Sequence, residues 1–315
     1  MGNRLKVAVF GVGSLGQWHA AKYAGMEDAE LVGVYDVDPA RAAEIAAKYE
    51  TQAFDNMADL AEAAEAASVV VPTPLHHDTF LALAEHDLHM LMEKPIAVTM
   101  REAEAMVARA RQKELILQVG HIERFNPIMP FLENNMRTPT FIEAIRMCAY
   151  PPSRPGAAPR GTEVSVVLDM MIHDLELILH LVHSPVESIR AFGVTTLSPS
   201  EDFADVRLRF QNGCVASVTA SRISPVQART LTVFQDNRYA SLDYGTQSGT
   251  LYQKGPDGMQ AVEIPTQKGD PLDLELRAFV ECVRTRSEPV VTAEQGAAAL
   301  KLATDICHII QTNPS

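Results

Sequence analysis

Leu5-Lys6-Val7-Ala8-Val9-Phe10-Gly11-Val12-Gly13-Ser14-Leu15-Gly16 is the stretch whose reading decides the fold. Leu5 to Phe10 is apolar and rich in valine, the pattern of a fully buried strand. A helical pattern follows through Trp18, Ala21 and Tyr23, and a second strand, Leu31 to Tyr35, ends on Asp36. Each glycine has a task in a dinucleotide site. Gly11 permits the tight turn, Gly13 lets the backbone approach a pyrophosphate, and Gly16 allows close helix–strand packing. Ser14 and Leu15 lie in the same turn, where backbone N–H groups and the helix dipole favour phosphate. Asp36 stands about 20 residues beyond Gly16, placed to accept from the adenosine ribose hydroxyls. Its charge repels a 2′-phosphate and favours NAD, while Arg41 just downstream keeps NADP open.

Outward from this unit, strands and helices alternate. Helical patterns cover Ala40–Tyr49, Ala58–Ala66, Thr79–His86 and Met100–Gln112; strands cover Ser68–Val71, Leu88–Met92 and Leu115–Val119. That alternation predicts a parallel, doubly wound sheet over residues 1–123. Ligands of such sheets sit at the carboxyl ends of the strands. Pro72, Thr73 and His76 follow one strand end, and Glu93-Lys94-Pro95 follow the next, so all are candidate cofactor contacts. His76-His77-Asp78 reads as a helix start rather than a metal site, because no further ligands converge on it. By itself Lys94 reads as an ordinary solvated lysine; its context supplies the functional reading.

Residues 124–315 change character. His121, Arg124 and Asn126 lie where the chain turns away from the sheet, either as a bonded hinge or as substrate contacts. Pro151 to Gly161 is a proline-rich loop carrying Arg154 and Arg160, which read as solvated or as phosphate ligands. Val164 to Val182 reads as a buried helix on which Asp169, His173, Glu176 and His180 share one face. A polar stripe on a buried helix needs partners or a pocket. Glu176 and His180 are expected in a core network, and Asp169 and His173 in a pocket. Strand patterns then run from Ile189 to Asp243, with a hairpin signal at Asn212-Gly213, so an antiparallel sheet is expected. Only one of its faces can be covered, and the other is a candidate homodimer or homotetramer interface. Helices are expected at Leu272–Arg286 and Ala293–Gln311.

The totals exclude several classes. A net charge of −13 argues against a nucleic-acid partner. The four cysteines form no C-x-x-C pair, which argues against a zinc site and fits a reducing, cytoplasmic setting. No stretch has the length and apolarity of a membrane span or secretory signal.

Taken together, Gly11-Val12-Gly13-Ser14-Leu15-Gly16, Glu93-Lys94-Pro95 and Asp169-x-x-x-His173 resemble the glucose–fructose oxidoreductase / inositol dehydrogenase (Gfo/Idh/MocA) family over the whole chain. The resemblance implies a Rossmann domain followed by an α+β domain with a large open, mainly antiparallel sheet. It also implies Lys94, Asp169 and His173 as the catalytic set, with Lys94 at both cofactor and substrate. Gly120-His121-Ile122-Glu123-Arg124-Phe125-Asn126-Pro127 is similar to the subgroup of nucleotide-sugar dehydrogenases acting at C3 of UDP-N-acetylglucosamine. Chemically, a histidine suits the general base and an ammonium suits a developing alkoxide. The competing expectations are a dehydrogenase of a free polyol such as myo-inositol, and a non-catalytic NAD-binding sensor or partner.

Overall fold

A computed structural model describes residues 4–152, 159 and 161–312. In chain order the elements are β1 (Leu5–Phe10), α1 (Gly16–Ala24), β2 (Ala29–Tyr35), α2 (Pro39–Lys48), α3 (Met57–Ala63), β3 (Ala66–Val69), α4 (His76–Ala84), β4 (His89–Glu93), α5 (Met100–Gln112) and β5 (Leu117–Gly120). There follow α6 (Met129–Asn135), β6 (Phe141–Met147), α7 (Ile172–Val182), β7 (Val186–Val194), β8 (Phe203–Phe210), β9 (Val215–Ser221), β10 (Ala228–Gln235), β11 (Arg238–Asp243), β12 (Ser248–Gly255), β13 (Gly258–Glu263), α8 (Pro271–Thr285) and α9 (Ala293–Thr312). The chain forms two compact units, residues 1–125 with 270–297, and 126–269 with 298–315. Residues 270–297, expected with the second domain, cluster with the first. The reason is apolar: Leu276, Phe279, Val280 and Val283 of α8 share one core with Val7, Val9, Ala20 and Tyr23.

The first unit holds a parallel sheet in the order β2-β1-β3-β4-β5. Val7 to Phe10 are fully buried, as a strand covered on both faces requires. The strand order reverses between β1 and β3, which sets a ligand crevice at their carboxyl ends. Helix starts are fixed locally. Asp38 caps α2 through the N–H groups of Ala40 and Arg41, and Thr99 with Glu102 forms a capping box on α5.

The second unit holds an eight-stranded sheet, β13-β12-β11-β10-β6-β9-β8-β7. Its neighbours pair antiparallel except β6 with β9, which are parallel. Ala204, Val206, Leu208 and Phe210 of β8, with Ala216, Val218 and Ala220 of β9, face a core completed by α7 and the later part of α9. The opposite face carries an aromatic row. Phe141 and Phe234 lie 5.8 Å apart, Phe234 and Tyr239 stack at 4.9 Å, and Tyr239 and Tyr252 at 4.6 Å. β12 and β13 were absent from the expected strands. β13 is exposed along its whole length, so its sequence shows no buried alternation. The expected helix from Val164 is also interrupted: Val167–Met171 is a π-helical turn, and regular α-helix begins at Ile172.

A buried ion pair anchors the approach to that turn. Arg222 donates from Nε to Asp202 at 2.8 Å and from its terminal nitrogens to the carbonyls of Gly161 (2.6 Å), Val164 (2.8 Å) and Glu201 (3.0 Å). Asp202 also accepts the backbone N–H groups of Thr196 and Ser198. Burial works against its ionisation, but bonds from Ser198, Arg222 and the backbone outweigh it and hold the carboxyl well below its usual range. Arg222→Ala strands this carboxylate and costs about 3–5 kcal/mol, to be read from urea denaturation. A folded-state pKa held down stabilises above the unfolded value of about 3.9 and loses that contribution as pH falls below it. Asp202→Asn therefore flattens the acid limb of the stability curve.

Candidate active site

The glycine turn is built by sterics. Gly11 has φ +85°, and a Cβ there would stand 2.8 Å from the carbonyl oxygen of Val70. A Cβ on Gly16 would stand 1.8 Å from the carbonyl oxygen of Gly11. Around Gly13 the space that a Cβ would enter is open to 4 Å. The α1 terminus at Leu15 has no side-chain cap, unlike those of α2, α3, α5 and α8. An open glycine followed by an uncapped helix start suits a pyrophosphate. Asp36 closes the other side. Its Oδ2 accepts the Val12 N–H at 2.8 Å and its Oδ1 the Asp38 N–H at 3.0 Å. Each oxygen keeps a lone pair for a ribose hydroxyl. Arg41 donates to the Val12 carbonyl at 2.9 Å and to Glu44 at 2.8 Å, so its guanidinium serves the loop and its own helix.

Pro72 and Thr73 lie in the short turn between β3 and α4, with Thr73 half-buried. His76 is buried, and its ring nitrogens meet the carbonyls of Pro95 (2.9 Å) and Val71 (3.0 Å). Both ring nitrogens thus brace two strand-end loops. Burial pushes its pKa down, more strongly than these carbonyls push it up. Lys94 follows β4, and its N–H donates to Glu93 at 3.1 Å. Glu93 also meets His19 Nε2 at 3.4 Å; His19 Nδ1 meets Ser68 at 3.0 Å, and Ser68 meets Tyr23 at 2.9 Å. His121 is buried beside Lys94 and Glu93. Burial, then the Lys94 charge, pushes its pKa down to about 3, so it works as a neutral imidazole.

Arg124 and Asn126 each bond a backbone carbonyl. Arg124 is buried and donates to the Val290 carbonyl at 3.2 Å. Asn126 is buried and donates to the Tyr244 carbonyl at 2.9 Å. Each thus places at least one donor on a backbone carbonyl inside the protein. Arg154 and Arg160 lie outside the described residues.

In the second unit Asp169 and His173 are half-buried at the junction of the π-helical turn with α7. Asp169 packs on Gly161: a Cβ on that glycine would come within 2.3 Å of Oδ2. His180 is half-buried and bonds the exposed Glu133 of α6 at 2.8 Å, while Glu176 is buried. Among the described residues no group of three or more His, Cys, Asp and Glu side chains could hold a metal ion.

Sequence reading missed the residues that hold these candidates in place. Asp174, fully buried on α7, accepts from Arg146 of β6 at 2.9 Å and from the Tyr244 hydroxyl. His19, Ser68 and Tyr23 sit under Glu93. The available signal was polar residues inside otherwise apolar elements, with His19 one turn past Gly16.

Fold and site define a class: an NAD-dependent oxidoreductase built from a Rossmann domain and a domain with a large open sheet. The chain belongs to the GFO/IDH/MocA oxidoreductase family. Residues 5–121 match its oxidoreductase domain with NAD-binding Rossmann fold, and residues 138–240 match the GFO/IDH/MocA C-terminal domain. The chain is 31% identical over 309 residues, 96% of each chain, to UDP-N-acetylglucosamine 3-dehydrogenase of Acidithiobacillus ferrooxidans. The crystal structure of that enzyme superposes with a TM-score of 0.92, covering 99% of both chains. A scyllo-inositol 2-dehydrogenase (NAD(+)) of Bacillus subtilis is 25% identical over 93% of this chain and 90% of its own. The glycine turn, the uncapped helix and Asp36 fit the NAD that this family's domain binds.

Asp36→Ala removes a charge-assisted acceptor for the ribose. Such a bond contributes about 1.5–3 kcal/mol, so the dissociation constant for NAD should rise about 10- to 100-fold. NADP binding should weaken less or improve, as fluorescence titration with both cofactors can show.

Proposed function

We propose that this enzyme oxidises a secondary hydroxyl of a nucleotide sugar, with C3 of UDP-N-acetylglucosamine as the substrate position. The observation that carries the reading is the end-to-end match, at 31% identity and a TM-score of 0.92, to an enzyme of that activity. Inositol dehydrogenases match at 24–25%.

The proposed roles follow from the chemistry of the groups. Oxidation of a carbinol removes a hydride from carbon and a proton from oxygen. NAD, when bound, supplies the hydride acceptor. His173 takes the hydroxyl proton on a ring nitrogen. Lys94 stabilises the negative charge growing on the same oxygen. Asp169, one turn before His173, positions the base or the lysine. Gly11, Gly13, Ser14, Leu15, Gly16 and Asp36 hold the cofactor, with Pro72, Thr73 and Glu93 at the strand ends nearest the reaction. His121 contributes a neutral imidazole beside Lys94. Arg154 and Arg160 are the proposed partners of the substrate diphosphate, since arginine offers it bidentate bonds.

Assembly and setting belong to the same proposal. The aromatic row across β6, β10, β11 and β12 supports a homodimer or homotetramer built on the open sheet face, which a mass measurement by light scattering tests. The four cysteines are free, which supports a reducing, cytoplasmic compartment.

The deciding assay follows reduced-nicotinamide absorbance with NAD and a carbonyl trap, giving UDP-N-acetylglucosamine, N-acetylglucosamine and myo-inositol in parallel. Signal with the UDP-sugar alone supports the reading, and signal with myo-inositol alone replaces it by the free-polyol reading. With the active substrate, Lys94→Met should lower kcat about 10²–10³-fold and His173→Ala about 10²–10⁴-fold. NAD affinity should survive both. Near-normal turnover in either variant removes that residue from its role.

A further inference from the structure

Glu275 of α8 is 0% exposed, and neither of its carboxyl oxygens has a hydrogen-bond partner. Gln118 of β5 is equally buried and reaches only the Glu275 main-chain carbonyl, at 3.5 Å. A carboxyl so placed avoids the cost of a lone buried charge by keeping its proton. Burial, and then the charge of Glu93, push the Glu275 carboxyl well above its usual range.

Glu93 behaves in the opposite sense. Burial works against its ionisation, but His19 and Lys94 outweigh that and hold its pKa down. Glu93 as an anion assigns the direction of the bonds around it. His19 donates from Nε2 to Glu93, Ser68 donates to His19 Nδ1, and Tyr23, kept protonated by burial, donates to Ser68. The charged and titratable groups on the elements packed against α8 are His19, Lys22 and Tyr23 on α1, Glu93 on β4, and Glu123 and Arg124 after β5. Lys22 pairs with Asp270 at 2.6 Å and Arg124 donates to Val290. Glu275 therefore has an acid for a neighbour and no cation bonded to it.

We propose that Glu275 holds a proton beside ionised Glu93 beneath the strand-end cofactor site, and that Glu275 releases this proton when oxidised NAD binds. The oxidised nicotinamide ring carries a positive charge that the reduced ring lacks. Glu93 ends β4 at the edge of the sheet where cofactors lie. A positive charge there favours the second ionisation, and the proton is released to solvent. His121, neutral through the working range, supplies no competing proton. The pair thus couples cofactor redox state to protonation before any substrate arrives. This inference rests on the cofactor and not on the identity of the substrate.

Calorimetric titration of the whole protein with NAD and with NADH, in two buffers of different ionisation enthalpy, reads the linkage. Wild type should release a measurable fraction of a proton per site with NAD and much less with NADH. Glu275→Gln should still bind NAD and lose that difference. Equal release with both cofactors in wild type, or an unchanged difference in Glu275→Gln, overturns the proposal. Thermal melts give a second readout. A folded-state pKa raised above the unfolded value stabilises below the unfolded value and loses that contribution as pH rises toward the folded value. The Tm advantage of Glu275→Gln over wild type should therefore grow as pH rises above the unfolded value of about 4.3. A pH-independent gap counts against a protonated Glu275. Should the variant not fold, the NAD–NADH difference in wild type decides alone.

Discussion

The carbonyl oxygen of Gly11 occupies the space a side chain on Gly16 would need, 1.8 Å from its Cβ position. The rest of the first unit depends on that contact. It lets α1 begin tight against the carboxyl end of β1, which leaves the helix terminus uncapped and aimed at the crevice. It also sets His19 and Tyr23, one and two turns further on, against β3 and β4. The same turn that admits a pyrophosphate therefore places the buried bonds under Glu93. Loss of the close approach at position 16 would disturb the phosphate loop and the footing of Lys94 together.

The second unit solves a comparable problem with charge. A half-buried Asp169 and His173 need a rigid base, and the π-helical turn that carries Asp169 is not rigid by itself. Asp174, bonded to Arg146 and Tyr244, fixes α7 to β6 from within the core. Arg222 fixes the chain before the turn by gathering three carbonyls and one carboxylate. Both arginines are at least nine-tenths buried. Removing either leaves an unpaired acid in the core, a larger loss than the bond itself is worth. Their retention is explained by placement of the polar stripe, since apolar packing alone would stabilise the helix as well.

Strong periodicity made much of this legible in the sequence. α5 has the same ends in the sequence reading and in the structure, because a capping box opens it. Asp36 was legible from spacing, since the βαβ unit fixes how far the acid stands from the last glycine. β13 was not legible, because an edge strand exposed on both faces needs no alternation. The assignment of α8 to the first unit was not legible either: an amphipathic helix fits any apolar surface, and only the three-dimensional core chooses. The bonds of Arg124, Asn126 and His76 to backbone carbonyls were not legible either. Composition gives residue type, but whether a polar side chain faces a ligand or a nearby carbonyl depends on where the backbone passes.

The acidic balance of the chain also finds an explanation. A protein of net charge −13 that binds a dinucleotide diphosphate would seem to need arginines at the phosphates. Arg41, which reaches the turn from α2, spends its bonds on loop carbonyls and Glu44. The phosphate is left to backbone N–H groups and the helix terminus, which carry no net charge and need no counter-acid. That arrangement also gives Asp36 its selectivity. Arg41 is bonded to the loop and to Glu44, while the Asp36 charge is of the sign that repels a 2′-phosphate. The same economy of cations recurs under the strand ends, where Glu93 is held by an imidazole and a backbone N–H and Glu275 stays neutral. Lys94 is the ammonium at the end of β4, and its charge also favours the ionised form of Glu93.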